Sequence, residues 1–264
     1  MPAPSATAAP TAARGERWAA AATVGAAAGA WLALAAAAHS PLRDHLRHHA
    51  PSASAAGTAQ AAFALAWLAM VAAMMLPPSL RFVRTLTRLV AGRARGPALV
   101  GAGVAGFALV WMLVGELFQL GDMGIHAAVD HTPWLAARPY LVTAASLALA
   151  GAYQLTPVKS RCLRACRQPA GFVARGWHGR APVAELVRIG SAYGWSCVGC
   201  CWALMLVMFA AGMTSVALMA ALAALMVAER ALPRAGVAVA GVGVTFLAAA
   251  VLVATGLLPG FTPA

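Results

Sequence analysis

Charge is what this chain has least of. Only 10 % of its 264 residues are Asp, Glu, Lys or Arg, against roughly 25 % in soluble proteins. Together with a hydrophobic content of 62 %, that scarcity excludes an ordinary soluble globular domain. Acidic residues are rarer still, seven against nineteen Lys and Arg. The chain has no glycine-rich nucleotide loop, no haem motif, no Ser/His/Asp constellation and no internal repeat. ATP-driven transport and triad hydrolysis therefore have no footing. Cysteine is scarce as well, with five in the whole chain.

What is present is a series of apolar runs: Trp18 to Ala38, Gln60 to Leu76, Ala98 to Leu120, Tyr140 to Thr156, Val198 to Ala211, Ser215 to Ala228 and Ala235 to Leu258. Each approaches the roughly 20 residues that carry a helix across a hydrocarbon core. The sequence predicts an all-α, polytopic transmembrane helix bundle of about seven spans. The first run is too long for a signal-peptide core and is read as a retained span. The fifth and sixth are separated only by Gly212 to Thr214, so one long kinked helix competes with a hairpin there. Residues 1–17 read as a disordered cytoplasmic N-terminus and residues 18–264 as a single transmembrane domain.

The net charge of +12 would suit a nucleic-acid binder if the basic residues were not so unevenly placed. With the N-terminus inside, the cytoplasmic segments receive Arg14 and Arg17, then Arg81, Arg84, Arg88, Arg93 and Arg95. They also receive Lys159, Arg161, Arg164, Arg167, Arg175, Arg180 and Arg188, then Arg230 and Arg234. The opposite face holds Arg43, Arg47 and Arg138. Sixteen against three is the positive-inside pattern of an N-in, C-out protein of the cytoplasmic (inner) membrane. The lipid bilayer, not nucleic acid, is the partner that this charge implies.

All five cysteines fall in residues 157–201, read as a cytoplasmic Cys-rich loop leading into the fifth span. Thr156-Pro157 has the form of an N-cap followed by proline at the first helical position. Cys162 and Cys166 then share a helix face, with Pro169 ending the element. Cys197, Cys200 and Cys201 share another face, at the expected start of the fifth span. Helix-start dipoles at the second group, and Lys159, Arg161, Arg164 and Arg167 beside the first, favour thiolate. Thiolates in a reducing compartment suit a soft metal better than a structural disulfide. The segment from Pro182 to about Ala192 reads as a separate short helix lying on the membrane surface, which would fold the two groups together.

Other donors are spread more widely. Met70, Met74, Met75 and Met205 lie in apolar runs and could form an intramembrane thioether path, although methionine is also an ordinary packing residue. Glu116 is a carboxylate deep in the third run, a candidate proton or cation contact with Gln119 as its alternative partner. On the outer side, Asp122, His126 and Asp130 recur at four-residue steps beside His131, a pattern that suits a divalent or oxidised metal or simply a solvated polar cap. His39, His45, His48 and His49 fall on the same side.

Three strings carry a family resemblance: Ala66-Trp67-Leu68-Ala69-Met70-Val71-Ala72-Ala73-Met74-Met75-Leu76-Pro77, Tyr153-Gln154-Leu155-Thr156-Pro157-Val158-Lys159 on through Cys162 and Cys166-Arg167, and Gly199-Cys200-Cys201-Trp202-Ala203-Leu204-Met205. They resemble the bacterial family of predicted metal-binding integral membrane proteins known as domain of unknown function 2182, over a core of about residues 60–235. The resemblance implies metal binding, with some members called copper chaperones, and places the family's ligands on the five cysteines and on Met70, Met74, Met75 and Met205. Two positions depart from it: Tyr193 stands where His is expected, and Ser215 where Asn is expected. The expectation is a membrane protein that binds copper as Cu(I), with zinc as the alternative, for copper handling, delivery or translocation. A copper-handling protein or membrane complex would be its partner. A membrane thiol oxidoreductase and an assembly subunit are the competing readings, and enzymatic activity is not implied.

Overall fold

A computed structural model describes residues 8–38, 56–210, 215–232 and 235–257. Among these residues the chain is helical, with no strand. The helices are α1 (Ala8–Ala38), α2 (Ala56–Met75), α3 (Leu80–Leu89), α4 (Gly96–Asp130), α5 (Pro133–Ala136), α6 (Tyr140–Gln154), α7 (Pro157–Arg167), α8 (Ala170–Gly176), α9 (Pro182–Ala210), α10 (Val216–Ala231) and α11 (Ala235–Ala254). Four stretches are long and apolar enough to cross a membrane: Ala13–Ala38, Gly96–Asp130, Pro182–Met208 and Gly236–Ala254. Two bent pairs raise the number to six if each is one span. The all-α polytopic bundle is thus the architecture of the chain.

Proline places the two bends. At Pro77-Pro78 the chain passes through a 3-10 turn, Pro77–Ser79, and α3 leaves α2 at 54°. Proline lacks the N–H that would continue the ladder. At Thr156-Pro157 the predicted cap forms: the Thr156 hydroxyl accepts from the Lys159 N–H at 3.2 Å, and α7 departs from α6 at 68°. Both bends lead into arginine-bearing helices that lay one apolar side on the bundle core: Phe82, Val83 and Leu86 of α3 and Leu163 and Cys166 of α7 are buried.

α9 is the central helix, packed against α4, α6, α7, α8 and α10. Its closest neighbour is α4, brought near by glycine. A Cβ at Gly190 would collide with the Gly103 carbonyl, and one at Gly106 with the Val187 backbone. Small residues at such a crossing let two backbones approach within contact.

Three expectations are corrected. α9 runs unbroken for 29 residues from Pro182, so there is no separate surface helix over 182–192, and the fifth apolar run is only the second half of a longer helix. Its start is held by Glu185, whose carboxylate accepts from the backbone N–H groups of His178, Gly179, Arg180 and Ala181 at 2.7–3.1 Å. The stretch read as a Cys-rich loop is therefore α7, α8 and the first turns of α9. Finally, α1 begins at Ala8, so residues 8–17 are helical where disorder was expected, and residues 1–7 lie outside the described residues. Alanine has the highest helix propensity, and it outweighs Pro10 there.

α9 and α10 are two helices in a hairpin. Arg230 near the end of α10 touches Cys197 of α9 at 2.9 Å. In one continuous helix, residues 33 apart would be separated by about 50 Å at 1.5 Å per residue. Ser215 caps the returning helix, its hydroxyl accepting from the Leu218 N–H at 3.4 Å, which is the work a serine or asparagine does at that position.

Candidate metal centre

The cysteines meet where α7 lies against α9. On α7, Lys159, Leu163 and Cys166 form the buried side, as a helical spacing of three and four requires. On α9, Cys197, Cys200 and Cys201 face the same core. The exposures of Cys166, Cys197, Cys200 and Cys201 are 2 %, 0 %, 1 % and 2 %. The Sγ atoms of Cys197, Cys200 and Cys201 all lie within 4.8 Å of one another. Cys200 Sγ is 3.2 Å from Cys201 Sγ and 3.7 Å from Cys166 Sγ. All five cysteines are free thiols. Cys162 stands slightly apart, half-buried, its sulfur seated over Gly199, where a side chain would collide with it. Ser196 links the pair, its hydroxyl contacting Cys166 Sγ at 3.6 Å and donating to the Cys162 carbonyl at 3.2 Å.

The electrostatics differ from expectation. Cys197 lies four turns inside α9, far from a helix start, so the helix dipole does not act on it. The arginines of α7 do not supply the charge either: Arg161 and Arg164 point outward, and Arg167 donates to the Leu232 carbonyl at 2.6 Å. The cation at the sulfurs is Arg230, from the far end of the hairpin. Its Nη2 is 2.9 Å from Cys197 Sγ and 3.4 Å from the Sγ atoms of both Cys200 and Cys201, while Nη1 donates to Ser79 Oγ at 3.3 Å.

A second buried ionic group flanks the first. Lys159 Nζ lies 2.7 Å from Glu229 Oε2 and donates to the Cys200 carbonyl at 2.5 Å; Gln154 Nε2 donates to Glu229 Oε1 at 2.8 Å. Lys159 and Glu229 are 1 % and 2 % exposed. Neighbouring Tyr153 donates to the Gly199 carbonyl at 2.5 Å. Two side chains of the α6–α7 bend thus grip consecutive carbonyls of α9 beside the cysteines. The sequence reading placed Arg230 among the topogenic charges and Lys159 both there and beside the first cysteine pair, and it passed over Glu229. The available signal was adjacency: Glu229-Arg230 closes an apolar run in a chain with only seven acidic residues.

The remaining candidates lie elsewhere. Met70, Met74, Met75 and Met205 are at most 1 % exposed and belong to the same core as the cysteines, together with Met208, Met219 and Met226. Glu116 accepts from Gln60 Nε2 of α2 at 2.7 Å, a partner on another helix in place of Gln119. Asp122 and His126 form a pair along α4, Nδ1 to Oδ2 3.4 Å. Asp130 and His131 do not join them: among the described residues, Cys197, Cys200 and Cys201 are the group of three or more donors that converges. His39, His45, His48 and His49 lie outside the described residues. Tyr193, at the position where His was expected, is fully buried and stacks on Phe82 with centroids 4.1 Å apart and planes at 6°, so it serves as packing above the thiols.

Four buried sulfurs and a fifth close by are soft donors with no competing carboxylate or imidazole among them, which is the chemistry that thiophilic metals select. A family model described as copper chaperone matches residues 64–253 of the chain. No curated protein and no solved structure matches it.

Proposed function

The chain belongs to this copper-chaperone family, and from that premise we propose that it carries copper as Cu(I) on a thiolate site formed by Cys166, Cys197, Cys200 and Cys201, with Cys162 as the outermost ligand. The observation that supports it most is the meeting of the two groups. Cys166 and Cys200 come from helices 34 residues apart in sequence, yet their sulfurs are 3.7 Å apart, close to the spacing of two ligands on one metal with bonds near 2.3 Å. The protein would be a multi-pass protein of the cytoplasmic membrane, seven-spanning and N-in, C-out. That reading puts the thiols at the arginine-rich, cytoplasmic end of the bundle. Cu(I) would be cargo, taken up there and delivered to a copper-handling protein or membrane complex. The buried thioethers of Met205, Met208, Met70 and Met74 would be weaker stations beyond the thiols. The resemblance to domain of unknown function 2182 fits the same picture.

The test is copper binding by anaerobically purified protein. Wild type is expected to take up Cu(I) in a thiol-dependent manner. Cys166→Ser combined with Cys200→Ser should abolish that uptake, whereas His126→Ala combined with His131→Ala should leave it intact. Full retention of copper by the cysteine variant would refute the assignment.

A further inference from the structure

We propose that the groove between α4, α5 and α6 binds one anionic phospholipid, with an acyl chain lying along α6 and the phosphate on Arg138. The proposal stands apart from the copper reading. The groove has a volume of about 490 Å³. Leu141, Ala145 and Leu149 form a stripe down α6, four residues apart and so on one helix face. At 1.5 Å per residue the stripe is about 12 Å long. Ile125 of α4, Trp134 of α5 and Leu206 of α9 also line the groove. Ile125 and Leu206 lie in stretches long and apolar enough to cross a membrane, so the groove draws its ligand from the bilayer.

The lining decides the chemistry of the buried part. Apart from the Trp134 indole, the one polar side chain there is Ser146, whose hydroxyl donates to the Val142 carbonyl at 2.9 Å within α6. Polar atoms of a ligand would go without partners at such walls, at a cost; hydrocarbon would not. A second helix does not fit either. With a diameter of 10–12 Å it fills about 900–1,400 Å³ over a length of about 12 Å, some two to three times the groove.

The rim carries the charge. Arg138 stands three residues before Leu141, its guanidinium 5.2 Å from the Trp134 ring centroid and its Nη1 donating to the Trp134 carbonyl at 3.3 Å. Among the described residues no carboxylate pairs with it. A guanidinium has five N–H donors, so most are left for a phosphate, which arginine takes in two parallel hydrogen bonds. Trp134 is 59 % exposed, and tryptophan is enriched at the headgroup level of membranes. A headgroup of net negative charge is preferred, because the ammonium of a zwitterionic one would offset the attraction of its own phosphate for Arg138.

The experiment uses the full chain, delipidated in detergent and titrated separately with phosphatidylglycerol and phosphatidylcholine of the same acyl chains, with bound lipid counted by native mass spectrometry. Wild type should hold one phosphatidylglycerol at least tenfold more tightly than phosphatidylcholine. Arg138→Gln should bring the two lipids to the same affinity. Ala145→Phe, which fills the groove from an exposed position, should weaken phosphatidylglycerol binding at least tenfold. Leu149→Trp, at the other end of the stripe, takes its place if that variant fails to fold. Equal affinities in the wild type, a preference that survives Arg138→Gln, or full affinity in the groove-filling variant overturns the proposal. So does displacement of the lipid by excess inorganic phosphate, which would reduce Arg138 to a bare anion site, or a dimer that added lipid dissociates, which would seat a second copy on the groove.

Discussion

Arg230 and Cys197 are 33 residues apart and their side chains meet at 2.9 Å in the core of the bundle. That contact fixes the hairpin of α9 and α10 and sets a guanidinium directly against the sulfurs. It also shows that two of the sixteen basic residues that indicate sidedness, Lys159 and Arg230, are internal ions. The other fourteen still outnumber Arg43, Arg47 and Arg138 on the opposite face.

The Lys159–Glu229 pair should behave as a buried ion pair with two distinct mutational outcomes. Glu229→Gln leaves a buried ammonium uncompensated and should cost about 3–5 kcal/mol of stability. Lys159→Met combined with Glu229→Leu, which removes both charges at similar volume, should recover most of that loss. Unfolding in detergent followed by tryptophan fluorescence checks the pair, and equal losses in the single and double variants would argue against an ionic role.

At the α4–α9 crossing, Gly190→Ala pushes a methyl group into the Gly103 carbonyl, and overpacking of this kind costs about 1–3 kcal/mol. Gly101→Ala on the same α4 meets nothing within 4 Å and should be neutral or slightly stabilising, because alanine is the better helix former. Folded yield and melting temperature of the two variants, measured side by side, test whether glycine sets the approach of these helices.

How much of this was legible beforehand follows the range of each interaction. The Thr156-Pro157 cap, the shared face of Cys162 and Cys166 and the apolar runs are local, repeating within a few residues, and the sequence displays them directly. The partnership of Arg230 with Cys197, or of Lys159 with Glu229 seventy residues away, depends on which helix packs against which, and periodicity carries no such information. The true start of α9 was hidden for another reason. Glu185 and Arg188 lower the hydropathy of its first turns, yet Glu185 is spent on the loop N–H groups and belongs to the helix.

Sidedness can be read with reporter fusions. Fusions after Arg93 and Arg175 should report cytoplasm, and fusions after Arg138 and at the C-terminus should report the outside. A cytoplasmic C-terminus would mean six crossings. α10 would then be the helix that does not cross, since its 16 residues span only about 24 Å.

Met205 lies one helical turn beyond Cys201 and Met208 nearly another, so their thioethers stand about 6 and 10 Å further along α9. Met205→Leu combined with Met208→Leu nearly conserves volume. It should leave Cu(I) stoichiometry at the thiols unchanged while slowing copper transfer to a chelator on the far side of a proteoliposome at least several-fold. Undiminished transfer would reduce these methionines to packing residues.

The depth of the thiols has a kinetic consequence. Four of the five sulfurs are at most 2 % exposed, so no acceptor can touch a metal held among them while the helices are closed. Ligand exchange, the usual route by which copper passes between sulfurs, has a foothold at half-exposed Cys162 and nowhere else in the group. On the proposed copper reading, the lifetime of a bound ion would be governed by how often α7 and α10 part from α9, not by the strength of the metal–sulfur bonds, and a tightly bound cargo would still be released quickly by a partner that prised those helices apart.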